Sequence, residues 1–185
     1  MPDKFTGRPI RRLEDPRLLR GQARYVDDLR VPGMLHVAFA RSIYPHARFR
    51  VDAAPARALP AVAGAFTAAD LEAERGFRDI PAIIDHPALK PCRQLPLARG
   101  KVRYVGEPIA AVVAESRYAA QDGAEAVQIA YDPLDPVADA HAAVAGGAPL
   151  LHDAIEGNVA ADFTVRSGDA DAAFRRAEIV TRGRY

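Results

Sequence analysis

Glu107 is the residue of this chain best placed to do chemistry. It stands in "KVRYVGEPIAAVVAES" (101–116), between Gly106 and Pro108, ahead of the unbroken apolar run 109–114. A carboxylate at the mouth of a buried run could act as a general base if burial raised its proton affinity. The triplet reads first, however, as a tight corner entering a buried strand. Glycine turns the chain, and the residue before a proline is held extended. Beyond a corner, Glu107 could line an interface or a cavity wall. His86 and Cys92 share one irregular stretch and could form a thiol–imidazole pair, but nothing marks a third group to orient that histidine.

The other candidates are scattered. His36, His46, His86, His141 and His152 show neither an i, i+4 pair nor any other metal-ligand spacing. His36 lies on an apolar strand face and reads as a core residue. His46, in "YPHAR", reads as a hydrogen-bonding residue at a strand end. Asp27 and Asp28 precede a turn, where Asp serves local hydrogen bonding. Ser42, Ser116 and Ser167 stand where turns and caps stand. A dinucleotide-binding glycine motif, a Walker loop and a nucleophile elbow are all absent. The lysines, Lys4, Lys90 and Lys101, do not sit in a tight hairpin turn, which excludes a biotinyl or lipoyl carrier. With Cys92 as the single cysteine, neither a disulfide framework nor a cysteine-based metal cluster can form within the chain. No catalytic, cofactor-binding or metal-binding residue is therefore assigned.

The elements that would position these groups follow from periodicity. Residues 34–41 and 44–52 read as extended, with Leu35, Val37 and Phe39 on one face of the first. Its other face, Met34, His36, Ala38 and Ala40, is also largely apolar, so the strand is expected to be covered on both sides. A short strand is expected at 23–28, a short helix at 53–59 opened by Asp52 and Pro55, and a strand at 61–67. Thr67 and Asp70 have the spacing of a capping box. Residues 76–100 hold a cluster of prolines and read as a long ordered loop. Ser116 caps a helix over 117–128 that lays Ala119, Gly123, Ala126 and Val127 on a sheet, and a strand follows at 128–134. Beyond Pro136 come a short helical piece, a Gly-Gly break, and a capped helix at 169–176 running into a strand that stops at Tyr185. The class is α+β, a mixed sheet with helices packed on it.

Composition narrows the function. With 185 residues, 49% hydrophobic and 26% charged, the chain suits a globular core, and its net charge of +1 exerts no general pull on nucleic acid or anionic membrane. The opening is locally basic: Arg8, Arg11, Arg12, Arg17 and Arg20 are offset only by Glu14 and Asp15. Without interleaved aromatic residues it suits docking rather than nucleic-acid binding. Arg11-Arg12 is not followed by an apolar segment, so no export signal is expected. No stretch approaches the length of a membrane span, and a reducing, cytoplasmic location is expected.

Five stretches together resemble the N-terminal part of the molybdopterin-binding large subunit of the xanthine dehydrogenase/aldehyde oxidase/carbon-monoxide dehydrogenase family. They are "GRPIRRLEDPRLLRGQARYVDD" (7–28), "PGMLHVAFARSIYPHARF" (32–49), "AFTAADL" (65–71), "KVRYVGEPIAAVVAES" (101–116) and "AEAVQIAYDPLDPV" (124–137). Weaker echoes are "LLHD" with "GN" (150–158) and "GDADAAFRRAE" (168–178). The arginine-rich opening is most similar to the carbon-monoxide dehydrogenase-like branch.

The resemblance implies an α/β-hammerhead fold. It divides the chain into an N-terminal arm (1–22), the hammerhead (23–138), and a connector with the start of the following molybdenum-cofactor domain (139–185). It also implies an oxidoreductase that hydroxylates an aldehyde, an N-heterocycle or carbon monoxide with water. Molybdopterin cytosine dinucleotide and molybdenum would be held beyond Tyr185, with 2Fe-2S clusters and FAD on partner chains. No cofactor ligand carries over to a position here. Glu107, His86, Cys92, Arg93, Arg11 and Arg12 are the expected interface or substrate-funnel residues. The alternative is a free-standing binding or assembly module without enzymatic activity.

Overall fold

The apolar run behind Glu107 is the middle of the molecule. In a computed structural model, which describes residues 5–74, 79–80, 86–90, 92 and 95–183, Pro108–Ala114 forms the central strand of a three-stranded sheet. In chain order the elements are α1 (Asp15–Leu19), β1 (His36–Arg41), β2 (Ala47–Asp52), α2 (Ala54–Arg57), β3 (Val62–Thr67) and α3 (Ala68–Ala73). They continue with β4 (Lys101–Val102), β5 (Pro108–Ala114), α4 (Arg117–Ala126), β6 (Gln128–Pro133), α5 (Ala140–Ala143) and α6 (Ala170–Arg176). The helix-and-sheet class is as the sequence suggests. The single mixed sheet resolves into two, ordered β1-β5-β3 and β4-β2-β6, and every pairing in them is antiparallel.

One core lies between the first sheet and its helices. Ala40, Ala65, Ala110 and Val112 point inward from the strands and meet Ala53, Ala56, Ala124 and Val127. Small residues let α4 sit close. A Cβ built on Gly123 would stand 2.6 Å from Val112 Cγ1 and 3.2 Å from Val62 Cγ2. The second core joins the sheets, with Ile109 of β5 packed among Ala47, Phe49, Ala98 and Val102.

Local signals explain the boundaries. Ser116 Oγ accepts from Ala119 N at 3.1 Å and opens α4. Thr67 N and Oγ1 both donate to Asp70 Oδ2 at 2.7 Å, so the capping box forms ahead of α3. The Thr67 hydroxyl, its backbone N–H and Arg57 hold the Asp70 carboxyl below its ordinary pKa against a smaller effect of burial.

Several expectations need correction. Residues 23–28 form no strand; Val26–Asp28 is a 3-10 turn, because Asp28 Oδ2 accepts from Tyr25 N and closes the loop locally. The buried face of α4 is Ala120, Gly123 and Ala124, with Ala119 and Ala126 only half-buried. Gly123 and Val127 are buried as expected and Ala126 packs against the core, while Ala120 and Ala124 are buried in place of Ala119. Strand β1 is covered on one side only, since Leu35, Val37 and Phe39 are exposed. Helix α6 forms with an Asp169 cap, but 177–183 carry no strand. An extended segment needs a paired neighbour to become a strand, and none of the described residues pairs with it.

Candidate functional site

Gly106 takes φ +87, the left-handed conformation glycine adopts without steric cost, and brings the chain round ahead of β5. The turn is tied to the end of β1 by backbone bonds. Gly106 N donates to Ser42 O at 2.7 Å, and Ser42 N donates to Glu107 O at 2.9 Å. Arg41 Nη1 adds a bond to Gly106 O at 2.9 Å.

Glu107 is 9% exposed and turns its carboxylate back into its own loop. Oε2 accepts the N–H of Arg103, and Oε1 lies 3.8 Å from Arg103 Nη1. Burial pushes its carboxyl pKa up, opposed by the Arg103 N–H and guanidinium. The carboxylate is occupied in closing a corner, with no histidine, serine or thiol among its hydrogen-bond partners.

The corner is also an anchor for distant chain. Lys101 is buried, and its Nζ donates to Leu150 O at 3.2 Å and Asp153 Oδ1 at 2.7 Å. Arg103 Nε donates to Leu151 O at 3.0 Å. Asn158 completes the fastening: Oδ1 accepts from Leu151 N, while Nδ2 donates to Ala143 O and Pro149 O. The Lys101 ammonium, chiefly by its hydrogen bond, lowers the Asp153 carboxyl pKa.

The irregular loop meets the same segment. Cys92 Sγ lies 3.5 Å from His152 Nε2, the His86 ring stacks on Phe163 with centroids 4.6 Å apart, and Lys90 N donates to Ala160 O at 2.8 Å. Burial, then the charges of Arg103 and Lys101, lowers the His152 pKa. A neutral His152 can share a proton with the thiol, but Asp153, which would orient a catalytic imidazole, spends its carboxylate on Lys101. Hence His86 and Cys92 do not pair with each other; each finds its partner in 150–163. His152 is the residue that local reading missed, and only its echo "LLHD" pointed to it.

The remaining candidates lie apart. Arg11 and Arg12 are exposed on the arm, where Arg12 Nε bonds Asp15 Oδ1 at 2.9 Å. Arg93 lies outside the described residues. His36 is half-buried. His46 is 3% exposed, with Nδ1 2.8 Å from Asp135 O, which makes it a strand-end tie to the chain beyond β6. Among the described residues no group of three or more His, Cys, Asp or Glu could hold a metal ion. Glu107, Lys101 and Arg103 already serve backbone or side-chain partners. These residues do not fit a molybdopterin group, and no catalytic step is built on them. Among the described residues no helix is long and apolar enough to cross a membrane.

Comparison with known proteins places this geometry. The family model described as aldehyde oxidase and xanthine dehydrogenase, a/b hammerhead domain, matches residues 20–135. The gamma subunit of the 6-hydroxypseudooxynicotine dehydrogenase complex of Paenarthrobacter nicotinovorans is 38% identical over 98% of this chain and 23% of its own length. The carbon monoxide dehydrogenase large chain of Afipia carboxidovorans is 35% identical over 95% of this chain and 22% of its own. Among solved structures, quinoline 2-oxidoreductase from Pseudomonas putida 86 superposes with a TM-score of 0.78 at 38% identity, covering 94% of this chain and 22% of that one. The chain thus spans less than a quarter of the length of these curated relatives.

Proposed function

This chain belongs to the aldehyde oxidase and xanthine dehydrogenase family, matching its hammerhead domain, and we propose that it is a scaffold piece of a molybdenum hydroxylase large subunit, without catalytic activity alone. One observation carries this reading: nearly the whole chain aligns with under a quarter of relatives named as dehydrogenase subunits and chains. In this role residues 1–22 are a docking arm, 23–138 the hammerhead, and 139–185 the connector and the start of the cofactor domain. The complete enzyme hydroxylates an aldehyde, an N-heterocycle or carbon monoxide with water. Molybdopterin cytosine dinucleotide is held outside this chain, 2Fe-2S clusters and FAD are held by partner chains, and the assembly works in the cytoplasm.

The corner supports such a role mechanically. Glu107 rigidifies the turn, Lys101 and Arg103 fasten 150–158 to it, and His86 and Cys92 are held against the fastened segment. A wall built this way can border a substrate funnel without doing chemistry. In this reading Arg93, outside the described residues, is a further funnel candidate, and Arg11 and Arg12 dock the arm.

The test is co-expression with the part of the Afipia carboxidovorans large chain that the match leaves out, together with that enzyme's partner chains. Dye reduction is then assayed with aldehydes, N-heterocycles and carbon monoxide. Activity that requires residues 1–185 is expected. Full activity without them, or a chain that never co-purifies with the remainder, overturns the proposal.

A further inference from the structure

We infer that the outer face of the β1-β5-β3 sheet is a docking surface for the part of the large subunit that this chain's match leaves out, an inference that rests on the function proposed above. The inner face is filled by α2 and α4. The outer face presents two apolar rows across the three strands. Pairing sets Phe39 beside Ala111 and Ala111 beside Phe66, and sets Val37 beside Val113 and Val113 beside Gly64. None of these six residues carries a polar side chain.

Val37, Phe39 and Phe66 are 55%, 43% and 41% exposed, and the described residues cover this face at its Ile109 end, in the second core. An antiparallel sheet face that meets water ordinarily carries polar side chains. A Cβ on Gly64 would lie 2.9 Å from two ring atoms of Phe66, so glycine at this position lets the ring lie back over the sheet. At the edge, Arg41 holds its guanidinium 5.2 Å from the Phe39 ring centroid and caps the patch with a polar boundary.

An apolar face spread across three strands suits another packed layer of secondary structure, which is how sheets bury their apolar faces. More than three-quarters of the length of the matched relatives lies outside the match, which supplies a layer of the required size. That chain length is why the remainder of the large subunit is the occupant chosen.

The test places Val37→Lys, and separately Phe39→Lys with Phe66→Lys, in the 185-residue chain. These side chains are solvent-exposed, so circular dichroism and melting temperature are expected to stay as in the unsubstituted chain. Co-purification with the Afipia carboxidovorans large-chain remainder is expected to fall roughly tenfold or more, as it does when central apolar anchors are lost. If the unsubstituted chain assembles and the folded variants assemble equally well, the docking face is overturned while the scaffold function stands. Failure of the unsubstituted chain to assemble overturns the function itself. A dimer of the chain alone, seen by sedimentation and dissociated by Val37→Lys, would make a second copy the occupant and overturn the inference. So would protection of a Val37→Cys thiol from alkylation in the isolated monomer (in a Cys92→Ser background), since the chain's own arm would then be the cover.

Discussion

At the scale of single residues, Glu107 shows how a buried carboxylate can be structural. Its pKa is raised by burial, so the folded chain binds this proton more readily than the unfolded chain. The associated stability is present below the ordinary carboxylate pKa and is lost as pH rises through the folded value. Glu107→Gln keeps an oxygen that can accept the Arg103 N–H but has no proton to release. The native chain should therefore lose stability relative to Glu107→Gln as pH rises from about 4, the ordinary carboxylate value, through the raised folded value. Thermal melts of both across that range check it, and a constant difference would refute the assignment. The corner itself was legible in Gly106-Glu107-Pro108, because glycine and proline act on the backbone locally. The partnership of Cys92 with His152 was not, because the two residues are 60 apart in sequence and only the fold brings them together.

Among elements, the fit of α4 on the sheet turns on one glycine. Gly123→Ala should gain about 1 kcal/mol of helix propensity. The new methyl would stand 2.6 Å from Val112, held in the central strand, and such overpacking costs about 1–3 kcal/mol. We expect the clash to win by about 1 kcal/mol, read as a lower urea midpoint at unchanged slope. The sequence identified the helix, its Ser116 cap and the small-residue contact. It placed Gly123 and Val127 correctly but Ala119 in place of Ala120 and Ala124, since the alanines of this helix offer nearly interchangeable stripes. The apolar character of both faces of β1 was also legible. Which face the chain itself covers was not, because hydrophobic patterning specifies burial without naming the element that provides it.

For the whole molecule, the question is how 150–158 is kept on the hammerhead. Lys101→Met removes both Nζ bonds while keeping much of the stem's packing. Hydrogen exchange should speed up at the amides of Leu151 and Ile155, which bond Asn158 and His152 within the fastened segment, and stay slow in β5. Equal protection in the variant would mean that Arg103 and Asn158 suffice. None of this long-range fastening was visible in local patterning, which showed only a short helical piece and a Gly-Gly break over that part of the chain.

The same clasp imposes a timetable on synthesis. Lys101 leaves the ribosome first, and Asp153 follows only 52 residues later. At ordinary translation rates that is a wait of about 3–10 s. During it the sheets can assemble, but the Lys101 ammonium has no counterion to accompany it into the interior. The hammerhead is therefore expected to mature in two stages on the ribosome, with its last ion pair closing only as the connector emerges. A chain cut at residue 135, where the family match ends, would be held at the first stage.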